Sequence, residues 1–349
     1  EIINLLLSNH EVKMGKGCFK GCKKLAQITI PSHIKSIEDS TFEDCSSLLK
    51  IEFSSSCSIE KFGKFSFKNC FSLKQINIPP SVNEIESSAF EGCSSLIEII
   101  IPESVNKIGD YVFSGCKLLK KAILPSLIKQ IGHTVFLYCS SLKEFEIPST
   151  IIKIEDYMFK GCSSLKKIKI HDSLIEIGNN SFEGCCSLED FNIPSSVVSI
   201  GLNAFYGCSS FKQVVIPSSI TEIKSHTFNL CKGLIYVSIP KSVVKIGDYA
   251  FFFCTHLKEI LIPPSVTSIG QSAFFYCIDL EKIIIPPSVI SIGQYAFAHC
   301  QSLMKIEIPN SVKVIQENAF EYSNLLCKIT IPSHIDQSKL GLDKRANFS

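Results

Sequence analysis

Cysteine is the residue type whose abundance most suggests chemistry in this sequence. The chain of 349 residues contains 17 cysteines and eight histidines, and such residues can form disulfide bridges, hold metal ions or act as nucleophiles. Thirteen cysteines share one place in a regular spacing: Cys22, Cys45, Cys70, Cys93, Cys116, Cys139, Cys162, Cys185, Cys208, Cys231, Cys254, Cys277 and Cys300. An odd-numbered series that has Ser323 at its next place favours small buried thiols over paired bridges.

The other residues that could carry chemistry form no recognisable catalytic or metal-binding pattern. The sequence lacks the glycine-rich phosphate-binding motifs and the Gly-x-Ser-x-Gly nucleophile motif. The histidines are scattered, and Cys18 and Cys22 have no histidine beside them. Glu144 and Glu146 fit the outer side of one strand, where paired acids are usually solvated. We therefore expect no enzyme activity, no cofactor and no metal site.

The spacing of the cysteines follows from a repeating unit of 23 residues. A phenylalanine precedes each of the thirteen cysteines by three residues, and only the interval from Phe42 to Phe67 is longer, at 25 residues. The complete series is Phe19, Phe42, Phe67, Phe90, Phe113, Phe136, Phe159, Phe182, Phe205, Phe228, Phe251, Phe274, Phe297 and Phe320. A unit this short cannot bury its own apolar side, so it must stack on copies of itself. The sequence predicts one elongated repeat body instead of two ordinary globular domains.

One unit illustrates the local structure that the repeat predicts. Leu257, Ile260 and Ile262 fit a short strand whose alternate side chains point inward, and Pro263 ends the strand because proline has no N–H for a further ladder bond. Val266 and Ile269 supply a second pair of inward side chains on the return path.

The rest of the unit is predicted to be a corner followed by a turn. Gly270 suggests a tight corner with positive φ. Residues 271–277 are too few for a long helix and predict a single helical or 3-10 turn, with Phe274 directed inward. The corner is not glycine in every coil, because five coils carry another residue there: Glu38, Glu86, Glu155, Lys224 and Gln316.

With these places defined, the chain resembles the BspA-type branch of leucine-rich repeat proteins. The resemblance depends on the pattern Ile-Pro-x-Ser-Val-x-x-Ile-Gly-x-x-Ala-Phe-x-x-Cys-x-x-Leu, which is nearly intact at residues 262–280 and 285–303. It extends over about residues 17–332. The commoner leucine-rich repeat carries Asn after its strand, and the Pro found here fits this branch.

The resemblance implies both a fold and a biological setting. The implied fold is an α/β solenoid, a right-handed superhelix of about 14 coils with a parallel concave sheet and short helical or 3-10 turns on the convex side. Family members are surface-associated or secreted proteins of bacteria and parasitic protists, and some are adhesins that bind host matrix proteins. We expect a degenerate N-terminal coil at residues 1–17, the solenoid at 18–332, and a C-terminal cap or frayed tail at 333–349.

Composition and charge restrict the classes of partner. A net charge of +2 provides no general attraction to nucleic acid or to an anionic membrane. No apolar run approaches the ~20 residues that a membrane-spanning helix requires. The chain begins partway through a repeat, and we interpret it as a piece of a longer protein, so the missing leader does not decide the compartment.

The first candidate surface is the outward side of the predicted strands. One residue between the two inward aliphatic places of each strand must face solvent, and in five coils this residue is aliphatic, four of them in two adjacent pairs. Ile100 with Ile123, and Leu261 with Ile284, then form adjacent apolar pairs. Contiguous exposed apolar surface often marks a partner site. The alternative is that these are ordinary exposed aliphatics covered by Lys or Glu side chains.

Lysines provide a second candidate surface on the same side. They lie in three consecutive coils: Lys120, Lys121, Lys143, Lys166, Lys167 and Lys169. Such a group could attract an acidic protein or a sulfated glycan. The alternative is an ordinary solvated face, because Glu144 and Glu146 lie among the lysines and weaken their field.

Aromatic residues on the convex side form a third candidate surface. The two places between Phe and Cys are mostly polar or glycine in early coils, but hold Phe252 with Phe253 and Phe275 with Tyr276 in later ones. His299 and Tyr322 continue the row. Such a row could mediate self-association or contact with a second domain. The alternative is that the rings pack against adjoining turns and complete the core.

The expected function is a non-catalytic protein–protein interaction module. By resemblance it is an adhesin-type ectodomain, at the cell surface or secreted, that binds a host or matrix protein through its concave face. The alternative is a cytoplasmic scaffold, which the reduced-looking thiols favour. A glycan-binding protein is a third interpretation, and no nucleic-acid partner or transmembrane segment is expected.

Overall fold

The structure is a computed structural model of the chain, and it describes residues 13–189, residues 191–342 and the backbone of residues 347–348. The chain divides into two compact units, Glu1–His171 and Asp172–Ser349. Each unit is a parallel-strand β-solenoid, and the chain has about 13 turns in all. The predicted degenerate coil at residues 1–17 lies outside the described residues, except for residues 13–17.

Most coils contribute one long strand, which begins shortly after the repeated leucine. The long strands of the first unit are Gln27–Ile30, Lys50–Phe53, Glu98–Ile100, Lys121–Ile123, Glu144–Glu146 and Lys167–Lys169. Those of the second unit are Gln213–Val215, Tyr236–Ser238, Glu259–Leu261, Lys282–Ile284, Lys305–Glu307 and Lys328–Thr330. These strands are short because the proline that follows nearly all of them donates no further ladder bond.

Each coil also contributes a two-residue short strand before its corner. In the first unit these are Ser36–Ile37, Lys61–Phe62, Glu84–Ile85, Lys107–Ile108, Gln130–Ile131 and Lys153–Ile154. In the second unit they are Glu176–Ile177, Ser199–Ile200, Glu222–Ile223, Lys245–Ile246, Ser268–Ile269, Ser291–Ile292 and Val314–Ile315. Five successive short strands form one hydrogen-bonded sheet in each unit, whereas the long strands pair mainly two by two. The more continuous sheet is therefore the one on the return path.

Strand pairing is parallel and keeps the repeat in register. Leu261 lies opposite Ile284, and Ile269 lies opposite Ile292, so each residue faces its equivalent one repeat later. Across the longer interval of the first unit, Ile37 still lies opposite Phe62. The two extra residues therefore lie in the loop between the long strand Lys50–Phe53 and the short strand Lys61–Phe62, and both strands keep their pairing.

The core of each unit is a column of stacked phenylalanine rings. Phe136 and Phe159 lie 5.6 Å apart with an angle of 4° between their planes, and Phe251 and Phe274 lie 5.4 Å apart at 7°. The repeated leucine, the inward Ile and Val residues and the cysteines fill the remaining interior. The predicted alignment of equivalent side chains through successive coils is confirmed.

The segment around each core phenylalanine consists of turns, and the predicted helical or 3-10 turn is not confirmed. Ser272 and Tyr276, on either side of Phe274, have φ values of 49° and 61°. These left-handed residues interrupt any helical run. The amides of Ser272, Phe274 and Tyr276 donate instead to carbonyls of the next coil, over 2.8 to 2.9 Å. The only 3-10 helix among the described residues is Gln337–Lys339.

Glycine is required at the corner for a different reason from the one predicted. Gly270 has no positive φ, so the expectation of a left-handed corner is wrong. A Cβ at Gly270 would lie 2.5 Å from the backbone nitrogen of Asp248 in the preceding coil. The corner therefore needs glycine because two backbones approach closely. Where a larger residue stands at the corner, as Glu86 does, the preceding coil carries glycine.

The C-terminal residues that the structure describes cover the last coil of the second unit. The amides of Asn318 and Phe320 donate to the carbonyls of Lys339 and Leu340, at 2.7 and 3.0 Å, and the Leu340 side chain is buried. The strand Asn347–Phe348 pairs in parallel with Lys328–Thr330. These contacts satisfy backbone groups that an open solenoid end would expose.

Candidate interaction surfaces

The repeated cysteines belong to the core. Every cysteine lies within the described residues and carries a free thiol. The thiols of the column donate to the phenylalanine carbonyl of the preceding coil, as Cys277 does to Phe251 at 3.3 Å. Desolvation raises the pKa of the Cys45 thiol to about 11 and that of Cys300 to about 12. These protonated, enclosed thiols are structural, and a thiolate nucleophile is not available among them.

The outward residues of the long strands form what we call the strand face. In Glu259–Leu261 the two end residues are exposed and the central Ile260 is buried, and the same alternation recurs in most long strands. The side chain of Leu261 is 70% exposed and that of Ile284 is 52% exposed. Ile100 and Ile123 are 55% and 41% exposed. The structure thus places all four predicted aliphatic residues in solvent.

These four residues form two equivalent patches, one in each unit. Ile100 pairs directly with Ile123 in the first unit, and Leu261 pairs directly with Ile284 in the second. We call these pairs the first and second apolar patches. They occupy the same places of the repeat, seven repeats apart in the sequence. The chain therefore presents the same apolar pair twice.

A Glu–Lys pair lies beside each apolar patch. Glu98 is opposite Lys121, with 3.0 Å between the carboxylate oxygen and Nζ, next to the first patch. Glu259 is opposite Lys282 next to the second patch. Paired charges of this kind fix orientation more than they add affinity, because both groups are exposed.

The second patch borders a groove of about 270 Å³, which is lined by Tyr236, Ile260, Leu261, Lys282 and Ile284 among others. Tyr236 is exposed and was not among the predicted residues. The strand alternation could have identified it, because the first residue of each long strand faces the same way as the third. The prediction of the apolar surface considered only the third residue of each strand.

The predicted lysine group is partly neutralised. Lys169 forms an ion pair with Glu146 at 2.7 Å, and Lys121 is paired with Glu98. Lys143 and Lys167 are exposed on the same side. Glu146, one of the two acids expected to weaken this basic surface, is therefore in contact with it, and Glu98 is a further acid beside it.

The aromatic row of the second unit is a stacked surface, which we call the turn ridge: Phe252, Phe253, Phe275, Tyr276, His299 and Tyr322. The rings of Phe253 and Tyr276 lie 4.4 Å apart at 8°, and those of His299 and Tyr322 lie 4.8 Å apart at 29°. Phe252 stacks on Phe275 at 5.0 Å. Most of these rings are half-buried against one another, and Tyr322 is 57% exposed. The ridge is thus a surface feature, separate from the phenylalanine core.

The described residues contain neither a candidate metal site nor a candidate membrane-spanning helix. Within the described ranges, no group of three or more His, Cys, Asp or Glu side chains could hold a metal ion. No helix in the part of the chain that the structure describes is long and apolar enough to cross a bilayer.

The fold and these surfaces define a class of protein: a repeat solenoid whose variable residues lie on a regular scaffold. Within that class, a model of the BspA-type leucine-rich repeat region, spanning six repeat copies, matches residues 12–143, 129–254 and 221–340. The chain belongs to the BspA-type leucine-rich repeat family. Leucine-rich repeat proteins generally mediate protein–protein interaction and act as non-enzymatic scaffolds.

Solved structures of bacterial proteins share the fold. A leucine-rich repeat protein from Bacteroides ovatus is 29% identical, with a TM-score of 0.79 over 97% of this chain and 87% of that chain. A leucine-rich cell surface protein from Faecalibacterium prausnitzii is 27% identical, with a TM-score of 0.57 over 90% and 89%. A leucine-rich repeat protein from Eubacterium ventriosum is 20% identical, with a TM-score of 0.56 over 91% and 87%, and shows the fold alone. Among curated proteins, no match is found.

Proposed function

We propose that this chain is the protein-binding part of an adhesin-type ectodomain, secreted or held at the cell surface, and that its strand face binds a host or matrix protein. The observation that carries the proposal is the duplicated apolar patch, Ile100 with Ile123 and Leu261 with Ile284. A β-solenoid needs inward aliphatics for stability, but these four side chains face solvent and contribute little to the core. The cell-surface description of the Faecalibacterium prausnitzii protein supports the location.

In the proposed interface, buried apolar residues would supply the affinity, and charged residues at the edge would orient the partner. The apolar patches supply surface that gains free energy when it is desolvated, and a few such anchors dominate most interfaces. Lys121 lies beside the first patch in an ion pair with Glu98, and Lys143 and Lys167 are exposed in the two coils that follow, where they would steer an acidic region of the partner.

The test is binding of the purified chain to a panel of purified extracellular matrix proteins coated on a surface. For a protein that is bound, Leu261→Asp with Ile284→Asp should weaken binding, and adding Ile100→Asp with Ile123→Asp should reduce it by at least about 30-fold, because a charge replaces each anchor. Val198→Asp is the matched control, since Val198 is an exposed aliphatic residue outside the strand face.

The outcome separates the strand face from other surfaces. If the quadruple variant keeps its thermal unfolding midpoint and binds like the unmodified chain, the strand face is not the binding site. If Val198→Asp weakens binding as much as the patch variants do, general surface charge explains the effect. Binding to none of the matrix proteins would contradict the adhesin proposal.

A cytoplasmic scaffold is the second candidate, and the exposed thiols of Cys18, Cys186 and Cys327 favour it. Free exposed thiols persist in reducing compartments and are readily oxidised outside them. Mass measurement of the protein from its natural source decides between the two. Free thiols at these three residues would favour the scaffold, whereas bridged or capped thiols would favour the ectodomain.

A further inference from the structure

The turn ridge carries aromatic residues at a backbone place that suits glycine. Phe253, Tyr276 and His299 have φ values of 56°, 61° and 59°. At the same place of earlier coils, Gly92 and Gly161 have φ values of 75° and 74°. The left-handed region is unfavourable for aromatic residues and free of strain for glycine. The coil can therefore be built without these rings, and the backbone does not require them.

The way in which the rings stack determines what they offer to a partner. Phe253 stacks on Tyr276 at 4.4 Å, and Tyr276 contacts His299 at 5.1 Å with an angle of 36° between the ring planes. Ring contacts of this kind compensate for part of the backbone strain. The rings of Phe253, Tyr276 and His299 are half-buried, and Tyr322 at one end of the row is exposed, so the ridge offers a partner a continuous, partly exposed aromatic surface.

The ridge differs in charge from the same places of the first unit. There, Lys20 pairs with Glu43 at 2.8 Å and Lys68 with Glu91 at 3.0 Å. Its own six residues are Phe, Tyr and His, with no acid, Lys or Arg among them. A contact on the ridge would therefore desolvate no ion pair, and aromatic, uncharged surface is enriched in the cores of interfaces.

The spacing of the ridge indicates its partner. Four residues of the ridge occupy the same place in successive coils: Phe253, Tyr276, His299 and Tyr322. Their ring centroids follow one another at 4.4 to 5.1 Å. A partner that meets the ridge along its length must present side chains at the same interval over four coils. A second copy of this chain has that interval by construction, and a two-fold contact uses the same surface on both copies. We propose that the chain forms a homodimer in which the turn ridge of one copy packs against the turn ridge of the other.

The test is the molar mass of the purified chain, measured by light scattering and analytical ultracentrifugation from about 1 to about 500 µM. The unmodified chain, of 38.7 kDa, should approach twice this mass as its concentration rises. Phe253→Gly with Tyr276→Gly should raise the dimer dissociation constant by at least about 30-fold. Glycine already occupies this place in other coils, so the variant should keep its fold.

The matched control is Tyr138→Gly, because Tyr138 has the same place and a φ of 56° but belongs to the first unit and is not part of the ridge. It should not change the dissociation constant. Phe253→Asn with Tyr276→Asn provides a second ridge variant, because Asn69 occupies this place with a φ of 59°. A chain that stays monomeric over the whole range, or folded ridge variants of either kind that dimerise like the unmodified chain, would overturn the proposal. Equal weakening by Tyr138→Gly would also overturn it.

Discussion

The thiol of Cys254 donates a hydrogen bond to the backbone carbonyl of Phe228 in the preceding coil, across 3.2 Å. The same carbonyl accepts the amide of Cys231, also at 3.2 Å, so both of its lone pairs are used. At the end of the column Ser323 repeats the contact, with its hydroxyl 2.8 Å from the carbonyl of Phe297. The place therefore needs a small side chain that donates, which cysteine and serine both provide.

Substitution at Cys254 should separate donation from size. Cys254→Ser keeps a donor and should lower the free energy of unfolding by less than about 1 kcal/mol. Cys254→Ala removes the donor and leaves a small void, so it should lower stability by about 1–2 kcal/mol. Denaturant unfolding of both variants measures the difference.

The reciprocal change at Ser323 is the control for that prediction. Ser323→Cys should be close to neutral, whereas Ser323→Ala should be destabilising, because the hydroxyl also accepts the amide of Cys300 at 3.2 Å. If serine proves worse than alanine at Cys254, size and polarity decide this place, and the donor role assigned to it is wrong.

Burial of the thiols should make the fold sensitive to alkali. Desolvation raises the pKa of the Cys300 thiol from 9.0 to about 12. Below pH 9 the Cys300 thiol is protonated in both the folded and the unfolded chain, so its contribution to stability is fully present. As the pH rises from 9 towards 12, the unfolded chain loses the proton that the folded chain keeps, and about 1.4 kcal/mol per pH unit is lost for each such thiol.

Denaturant midpoints measured at several pH values above 9 test this loss. Cys300→Ser removes one buried thiol, so its stability should decline less steeply with pH than that of the unmodified chain. Parallel declines for the two proteins would show that other groups cause the alkaline sensitivity.

Gly270→Ala should be destabilising although Gly270 has no positive φ. Its Cβ would lie 2.5 Å from the backbone nitrogen of Asp248, and a backbone neighbour cannot rotate away as a side chain can. We expect a loss of about 1–3 kcal/mol, as for other overpacked sites, measured by thermal or denaturant unfolding. Gly15→Ala is the matched control at the same place of an earlier coil, because its Cβ would meet no described atom within 4 Å. Equal effects of the two changes would contradict close approach as the reason for glycine.

Much of the scaffold was predictable because equivalent residues of successive repeats must occupy the same environment. A phenylalanine every 23 residues can be buried in a stack only if the coils superpose, and Phe136 and Phe159 do so. Because side chains of a strand point alternately to its two sides, the inward places of the repeat were enough to place Leu261 and Ile284 in solvent.

The turns were less predictable because their bonds run between coils. Ser272 and Tyr276 are not typical left-handed residues, and nothing in residues 271–277 alone shows that alternate amides bond to the next coil. The same holds for Gly270, whose requirement depends on Asp248 in a different coil. Local propensity favours a helical turn there, and the neighbouring coil overrides it.

The exposure of residues on the candidate surfaces was predictable, but the contacts between these residues were not. Exposure of Ile100 and Ile123 follows from alternation, but the ion pair between Glu98 and Lys121 depends on the register of two strands. Tyr236 was missed because the prediction of the apolar surface used only the third residue of each strand. The identity of a partner depends on a second molecule, which repeat spacing does not describe.

Contacts that recur at every coil also limit which insertions and deletions the chain can tolerate. Deleting one whole repeat from the second unit, such as residues 252–274, would bring Phe251 beside the ring that now follows Phe274, with the same thiol and carbonyl partners at hand. Loss of a single codon between Phe274 and Cys277 would misalign a ring and a thiol with their partners on both sides. Duplication or loss in whole-repeat steps therefore keeps every one of these contacts, and it multiplies or removes outward residues without disturbing the core.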